Sequence, residues 1–516
     1  MSTYQSYAEY YHELTKYTPE GIASSQHRLD FDNQPIPFKD YPNKKQIDLS
    51  PLLPLDKNPF SDVGIKNPLD FTKEEKSLAV LSKLLYFSYG ITAIVPHEDK
   101  PFYMRSSPSA GGLYPTEIYV CIKGYEGLED GIYNYQVLNQ SLTHVYKGDI
   151  SKSFIEATYN HPGIDLSKVI LVLTGVFYRS SWRYQDRAYR RICLDTGHVI
   201  GNIDLVSSSC DFKAISIGGF NDKLINEAIS LDDNEEQALT IIALVDKKED
   251  KESNETYSSP SALPSKLDNR NTKTREGIRL IQLHERSKIE NFVNVPNIKI
   301  DSIEEKLKFS SKIQFQEKAK DFKWKENLYT TILKRRSTRA FTGGSISKDE
   351  LGSILEFTYH PESFFSEGLD PKPVYFDLSL LQTFVAVTNV EGLEEGCYYY
   401  SSEGHYLKQI RFKSFRDEIY YLCLGQELGH TASAVIFHTS NLSKGVFKYG
   451  ERAYRYLHMD AGHLGQRINL AAINLNLGVS GIGGFFDDEV NEVLGIPESE
   501  AVLYITTLGV PAKIKK

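Results

Sequence analysis

The stretch YQDRAYRRICLDTGH at residues 184–198 returns as YGERAYRYLHMDAGH at residues 449–463, with eight of fifteen positions identical at a shift of 265 residues. The same shift relates EGLEDGIYNY at 126–135 to EGLEEGCYYY at 391–400, where seven of ten positions agree. A period of this length excludes a solenoid of short repeats and predicts a duplicated domain. Two such copies in one chain predict an intramolecular counterpart of a homodimer, in which like surfaces face each other.

The duplication also sets the predicted domain boundaries. We expect an extended N-terminal arm over 1–74, a first copy over 75–246, a partly disordered linker over 247–324 and a second copy over 325–516. The arm is rich in proline, which favours an extended path over the folded body. The linker begins with a polar, charged stretch that is poor in aliphatic residues and is typical of disorder.

Composition excludes several classes of protein. The 516 residues are 41% hydrophobic and 25% charged, as in globular proteins, and the net charge of −9 argues against nucleic acid or anionic membranes as partners. No apolar run reaches the ~18 residues of a membrane-spanning helix, and the N-terminus lacks the layout of a signal peptide. The five cysteines are odd in number and none forms a CxxC pair, so we expect no disulfide framework, no metal site and a cytoplasmic protein.

Hydrophobic patterning predicts an α+β fold in each copy. Segments rich in β-branched residues predict strands, and segments with helical spacing predict helices that flank antiparallel-type sheets. The predicted strands are TEIYVCI (116–122), KVILVLTGVF (168–177), ALTIIALV (238–245), TFVAVTN (383–389), SAVIFHTS (433–440) and VLYITTLGV (502–510). The predicted helices are 77–89, 349–359 and the stretch that follows each D-x-G-H motif.

Two motifs have the composition of a binding site. In KRRSTRAFTGG (334–344), Arg335, Ser337 and Arg339 alternate, so an extended segment would point them to one side as a phosphate clamp. A solvated basic patch is the alternative. In RSSPSAGGLYPTEIYV (105–120), the small residues after the Ser-Pro-Ser turn would let a flat heteroaromatic approach the backbone, whereas a plain tight turn is the alternative.

The repeated block adds candidate proton-transfer residues. Lys448 precedes Tyr449 in the second copy, and Arg183 precedes Tyr184 in the first. A lysine in a crowded, tyrosine-rich place can lose its proton and act as a base. The Asp-x-x-His pairs of the D-x-G-H motifs are interpreted as helix packing with a buried, hydrogen-bonded histidine rather than as metal ligands.

These motifs together resemble the SagB-type dehydrogenases of the FMN-dependent nitroreductase superfamily, in tandem-duplicated form. The resemblance covers both copies, about two-thirds of the chain. It implies an α+β dimer-like fold with FMN at the two-fold interface, and oxidation of azoline rings in ribosomal peptides. It also implies that the clamp of one copy binds the FMN phosphate, while the glycine-rich loop of the other copy faces the flavin ring.

The resemblance transfers unevenly between the copies. The clamp is present only in the second copy, since the matching region of the first reads LDFTKEEKS, and the loop is present only in the first, since the second has PVYFDLSLL. One complete flavin site and one decayed site are therefore expected. The implied cofactor residues are Ser107, Pro108, Ser109, Ala110, Gly111, Arg335, Ser337, Arg339, Gly483, Gly484 and Lys513.

Which proton-transfer pair faces the flavin stays open at this stage. Lys448–Tyr449 matches the family pair and is slightly preferred, because arginine cannot release its proton. Arg183–Tyr184 is favoured instead if the loop that carries each pair lies beside the Ser-Pro-Ser turn of its own copy. Azole formation would then be in doubt.

We therefore expect an FMN-dependent oxidoreductase that dehydrogenates an azoline or related group in a peptide or other natural-product intermediate. A dehydrogenase or reductase of another small biosynthetic intermediate is one alternative. A flavin-free scaffold that docks a peptide-modifying enzyme is the other. Expected partners are the peptide or small-molecule substrate and a peptide-modifying enzyme, with further oligomerisation left open.

Overall fold

The structure is a computed structural model, and it describes residues 6–41, 44–96, 101–248, 277–296, 303, 307, 312–315 and 327–513. Most of the predicted linker lies outside the described residues. The two copies of the repeat fold into matching α+β units, as predicted.

When the segment before each copy is counted with that copy, the first copy has nine strands in the described residues. They are β1 (Gln46–Asp48), β2 (Ile91–Val95), β3 (Phe102–Arg105), β4 (Thr116–Ile122), β5 (Gly131–Gln136), β6 (Ser141–Lys147), β7 (Val169–Val176), β8 (Phe212–Ile217) and β9 (Glu236–Asp246). Seven of them form one sheet in the order β1-β6-β5-β4-β7-β9-β8, and every neighbouring pair is antiparallel. The hairpin β2–β3 stands apart from this sheet.

The second copy repeats this arrangement. Its strands are β10 (Lys312–Gln314), β11 (Ile346–Ser347), β12 (Leu381–Val387), β13 (Val390–Glu391), β14 (Gly396–Ser401), β15 (Tyr406–Arg411), β16 (Ala434–Ser440), β17 (Gly478–Ile482) and β18 (Ala501–Gly509). The seven-stranded order is β10-β15-β14-β12-β16-β18-β17, again antiparallel throughout. The six strands predicted from sequence are all present, with ends shifted by at most two residues.

Helices cover both sheets. Those of the first copy are α1 (Tyr7–Leu14), α2 (Pro19–Ser24), α3 (Lys73–Tyr89), α4 (Ser151–Ala157), α5 (Pro162–Leu166), α6 (Phe177–Tyr184), α7 (Ala188–Ser208) and α8 (Asp222–Ala228). Those of the second are α9 (Ile278–Arg286), α10 (Leu328–Lys334), α11 (Lys348–Tyr359), α12 (Arg416–Leu422), α13 (Glu427–Thr431), α14 (Leu442–Tyr449), α15 (Ala453–Asn474) and α16 (Asp487–Leu494). In the described part of the chain, no helix combines the length and apolar content needed to cross a membrane.

The D-x-G-H motifs lie where the two long helices α7 and α15 cross. A Cβ atom on Gly197 would be 2.2 Å from the Met459 carbonyl oxygen, and one on Gly462 would be 2.2 Å from the Leu194 carbonyl oxygen. Each glycine therefore lets the other helix approach backbone to backbone. The repeated glycine is thus explained by close helix packing between the copies.

The repeated R-A-Y-R sequence joins the copies through buried ion pairs. Arg187 and Arg190 donate to the two carboxylate oxygens of Asp487 at 2.7 and 2.6 Å. In the matching position, Arg452 and Arg455 donate to Asp222 at 2.6 and 2.9 Å. Each pair of arginines reaches a carboxylate of the other copy, as two subunits of a dimer would do.

The segments before each copy also correspond to each other. Helix α1 packs with its buried His12 Nδ1 3.1 Å from the Tyr454 hydroxyl, and α9 packs with His284 Nδ1 2.9 Å from the Tyr189 hydroxyl. Strands β1 and β10 then extend the same edge of their sheets. The scaffold is therefore symmetric beyond the boundaries that sequence identity marks.

Candidate functional site

A cavity of about 340 Å³ lies between the two copies, and we call it the interface cavity. It is lined by residues 108–112 of the loop before β4, which together with Ser107 we call the glycine loop. The second copy contributes residues that follow α10, residues at the end of β17 and one residue of β18. The sequence-predicted site residues in its wall are Pro108, Ser109, Ala110, Gly111, Arg183, Ser337, Arg339 and Gly483.

A buried carboxylate on α7 positions the glycine loop. Asp195 accepts hydrogen bonds from the Ser109 hydroxyl at 2.6 Å and from the Ala110 amide at 3.1 Å. Gly111 adopts a φ of +66°, and a Cβ atom there would lie 3.0 Å from the Tyr184 hydroxyl. The loop thus needs glycine both for its backbone conformation and for the close approach of Tyr184.

The clamp segment, residues 335–339, is held against β17 by Thr338. The Thr338 amide donates to the Val479 carbonyl at 2.9 Å, and the Val479 amide donates to the Thr338 hydroxyl at 2.9 Å. Because neighbouring side chains of an extended segment point in opposite directions, Ser337 and Arg339 lie on the other side, in the cavity wall.

Arg335 does not share that wall, although alternation predicted all three clamp residues on one side. Its Nε donates to the Ser106 carbonyl at 2.6 Å and its Nη2 to the Arg105 carbonyl at 2.9 Å. It therefore lies beneath the glycine loop and anchors the loop to the second copy. Among the described residues, its buried Nη1 has no hydrogen-bond partner, and neither has the Ser107 hydroxyl.

The clamp side of the cavity carries excess positive charge. Within the described chain, no carboxylate forms an ion pair with Arg335, Arg336 or Arg339. Burial lowers the pKa of Arg335 to about 10, so it remains charged at neutral pH. Burial also raises the pKa of Asp195 to about 7, against the opposing effect of its hydrogen bonds from the loop. A bound anion would offset the arginine charges.

Arg183 and Tyr184, at the end of α6, lie beside the glycine loop. The Arg191 guanidinium lies 5.0 Å from the Tyr184 ring centre. Arg191 also packs on Gly483, because a Cβ atom on that glycine would overlap the Nη1 atom of Arg191. Burial raises the pKa of Tyr184, while Arg191 and Arg183 oppose the shift. Tyr184 is therefore a protonated hydroxyl at neutral pH, positioned to donate a hydrogen bond.

Lys448 and Tyr449 lie at a different place. Lys448 Nζ and the Tyr449 hydroxyl both donate to Asp377, at 2.6 and 2.9 Å. Burial and Asp377 raise the pKa of Tyr449. The sequence favoured this pair at the complete site, but the structure places it elsewhere. Helix α14 lies beside the loop of its own copy, which contains Asp377, just as α6 lies beside the glycine loop.

The counterpart of the interface cavity is filled by aromatic side chains. Phe376 stacks on Tyr456 with ring centres 4.9 Å apart and planes 9° apart. A Cβ atom on Gly218, the counterpart of Gly483, would lie 2.4 Å from the Tyr456 ring. Asp460 accepts from the Phe376 and Asp377 amides at 3.0 and 2.8 Å, as Asp195 does for the glycine loop. Burial raises the pKa of Asp460 to about 7 as well.

The remaining predicted residues lie near the cavity without lining it. The Gly484 carbonyl accepts a hydrogen bond from Gln426 at 3.5 Å. Lys513 is exposed and follows Ala512, whose amide donates to the Ala340 carbonyl at 3.0 Å, so it lies close in sequence to a residue that neighbours Arg339.

Sequence reasoning missed several residues of the cavity wall. They are Phe102, Arg191, Leu194, Asp195, His198, Ser480, Gly481 and Tyr504. His198 Nε2 lies 2.9 Å from the Tyr504 hydroxyl, and burial lowers the pKa of His198 to about 3. The sequence contained one signal that the two sites differ here. Arg191 aligns with Tyr456 inside an otherwise similar block.

No cysteine lines this cavity in the described part of the chain. All five cysteines are buried and free. No cluster of three or more histidine, cysteine, aspartate or glutamate side chains there could hold a metal ion.

Residues 70–244 and 332–510 each match the nitroreductase family. The chain belongs to the nitroreductase family. It is 46% identical to a nitroreductase-like protein of Anabaena variabilis whose crystal structure superimposes with a TM-score of 0.86 over 99% of this chain and 100% of the other. This nitroreductase-family chain therefore shares its tandem architecture with a solved structure of nearly the same extent.

Single copies also match shorter relatives. A nitroreductase-family protein of Methanocaldococcus jannaschii is 32% identical over 34% of this chain and 88% of its own length. The trifolitoxin-processing protein TfxF of Rhizobium leguminosarum is 27% identical over 33% of this chain and 58% of its own. The microcin B17-processing protein McbC of Escherichia coli is 25% identical over 37% of this chain and 71% of its own.

Proposed function

We propose that this nitroreductase-family protein is an FMN-dependent, SagB-type dehydrogenase that oxidises an azoline or related group in a peptide or other natural-product intermediate. The observation that carries the proposal is the meeting of the glycine loop of one copy with Ser337 and Arg339 of the other at one cavity. Each copy supplies the half that the other lacks. One FMN per chain follows.

The residues of the interface cavity fit FMN. Ser337 and Arg339, which line the cavity, would bind the phosphate, since charge-assisted bonds from arginine suit it. Arg335 would hold the segment that leads into the glycine loop. Residues 108–112 carry small side chains apart from Pro108 and line the cavity, so a flat ring could lie against the loop. When bound, FMN would accept a hydride and thereby supply the electron chemistry that no side chain provides.

The chain itself would handle the proton. Tyr184 is held beside the glycine loop, and its raised pKa keeps the hydroxyl protonated at neutral pH. It can orient a ring nitrogen or carbonyl by donating a hydrogen bond. Asp195, with a pKa of about 7, is a buried carboxylate in the cavity wall and can hold a proton there.

The peptide substrate class is supported by two relatives. TfxF and McbC are named for the processing of trifolitoxin and of microcin B17, and each matches about a third of this chain. We propose that this protein likewise modifies a peptide, alone or with a peptide-modifying partner.

A second candidate follows from the residue beside Tyr184. Arg183 stands where the family pair has lysine, and arginine does not act as a base at neutral pH. A protonated Tyr184 next to two arginines suits reduction, in which a proton is delivered to the substrate. A reductase or dehydrogenase of another small biosynthetic intermediate is therefore the alternative.

Three measurements test the proposal. Titration of apoprotein with FMN should saturate at one equivalent per chain, and two equivalents would contradict it. Arg339→Ala should weaken FMN binding at least about tenfold, the effect of losing one charge-assisted bond of ~1.5–3 kcal/mol, whereas Lys73→Ala in the first copy should not. Mass spectrometry of a thiazoline peptide incubated with the holoenzyme then separates the candidates, since only the dehydrogenase yields the thiazole.

A further inference from the structure

An apolar pocket of about 530 Å³ adjoins the interface cavity, and we call it the arm pocket. Phe102, Gly111 and Gly112 line both spaces, so the two adjoin at the glycine loop. The outer wall of the arm pocket is residues 34–38 of the N-terminal segment, and Leu138 contributes from the turn after β5.

The N-terminal wall is fixed before any ligand arrives. The Arg105 guanidinium donates to the Pro37 carbonyl, and it lies 5.2 Å from the Phe38 ring centre. Phe38 also meets Tyr103 edge to face, with ring centres 5.0 Å apart. The Trp182 indole holds the chain just upstream by donating to the Asp30 carbonyl at 2.8 Å. Preformed concave apolar sites of this kind are typical of ligand pockets.

The pocket exposes large apolar side chains to solvent. Ile36 is 70% exposed, Leu138 48% and Phe102 37%. Clustered exposed apolar groups of this kind mark binding sites in soluble proteins. The described residues that line the pocket carry no charge, whereas Arg183, Arg191 and Asp195 line the adjoining interface cavity.

We infer that the arm pocket binds an uncharged apolar side chain of the substrate, adjacent to the group that is oxidised in the interface cavity. The inference rests on the proposed function. The polar cavity would take the reacting ring, and the neighbouring residue of the substrate would reach across Gly112 into the arm pocket. An acidic or basic neighbour would lose its hydration there without gaining a partner.

Binding can be tested apart from turnover. The probes are two blocked peptides in which a thiazole ring, which is already aromatic, follows either phenylalanine or aspartate. Calorimetric titration of the holoenzyme should show the phenylalanine peptide binding at least tenfold more tightly. Ile36→Glu should remove that preference with FMN content unchanged, whereas Leu69→Glu, at a 90% exposed position outside the pocket, should preserve it.

Equal affinity for the two peptides, binding of neither, or a preference that persists in Ile36→Glu would overturn the inference. The matching thiazoline peptides separate it from the proposed function. Oxidation of both thiazolines with equal KM would leave the function and remove the arm pocket. Binding of the phenylalanine thiazole without oxidation of any thiazoline would keep the pocket and remove the azoline chemistry.

Discussion

The two sites related by the duplication differ at a few positions within one shared frame. Asp195 and Asp460 hold equivalent loops, yet Gly111 of one loop corresponds to Phe376 of the other. Beside them, Arg191 packs on Gly483 where Tyr456 packs on Gly218. One side is an open, positively charged cavity, and the other is an aromatic stack. After the duplication, one of the two sites became filled by core side chains, while the surrounding scaffold stayed symmetric.

The largest effect is expected at the buried ion pairs that join the two copies. Asp487→Asn leaves Arg187 and Arg190 buried without a carboxylate, and Asp222→Asn does the same to Arg452 and Arg455. We expect each variant to lose ~3–5 kcal/mol in the free energy of unfolding. Urea denaturation measures it. Glu129→Gln, which breaks an exposed pair with Lys147, is the control and should be neutral. A large loss from only one of the two variants would show that the scaffold is not symmetric.

Exchanging the residue that distinguishes the loops should close the open site. Gly111→Phe places a ring where a Cβ atom already meets Tyr184 at 3.0 Å, at a φ of +66°. We expect FMN affinity to fall ~10³-fold, or about 4 kcal/mol, in fluorescence titration. The reverse change, Phe376→Gly, should keep one FMN per chain, because no clamp faces that loop. Full FMN content in a folded Gly111→Phe variant would place the flavin elsewhere.

The proton-transfer pairs give a smaller contrast. Tyr184→Phe removes the hydroxyl beside the glycine loop, and we expect flavin reduction by substrate to slow ~10²-fold while FMN content stays full. Tyr449→Phe removes a hydroxyl that bonds only to Asp377 among the described residues, so its effect should be much weaker. Stopped-flow absorbance measures both. A larger effect from Tyr449→Phe would restore the preference drawn from sequence.

Sequence was sufficient for the fold and for half of the cavity. Long-range identity between the copies revealed the duplication, and enrichment in β-branched residues located the principal strands because both faces of those strands are buried. The complementary loss of loop and clamp indicated one site, since both motifs are local. Placement of α6 and α14 could not be predicted, because which loop a helix accompanies depends on packing between distant segments.

The same limit applies to residues that act through space. Asp195 and His198 were interpreted as helix packing, and they do pack, but Asp195 also holds the glycine loop from 86 residues away. Arg335 was predicted to face the ligand beside Ser337, yet its guanidinium turns to carbonyls of the other copy. Alternation in sequence indicates direction only while a segment stays extended.

The smallest prediction compares the two histidines of the D-x-G-H motifs. Burial lowers the pKa of His198 to about 3 from 6.5. It also lowers the pKa of His463, but Asp204, 3.5 Å away, opposes that shift. A lowered folded-state pKa means that the unfolded chain takes up the proton first as the pH falls. The stability that each neutral histidine contributes is therefore complete above pH ~6.5 and is lost as the pH falls, for His198 down to its folded-state pKa of about 3.

We expect His198 to account for about 1 kcal/mol of the stability lost between about pH 7 and about pH 5.5. His198→Gln keeps donor and acceptor groups for Tyr504 and Gln466 but cannot take up a proton, so its stability should depend less on pH by that amount. His463→Gln should change the pH dependence less, because Asp204 favours the protonated form in the folded protein. Urea unfolding of all three proteins at both pH values measures the difference. Identical pH dependence in wild type and His198→Gln would mean that His198 is already protonated, or solvated, in the folded protein, and the open cavity would then be wetter than its closed counterpart.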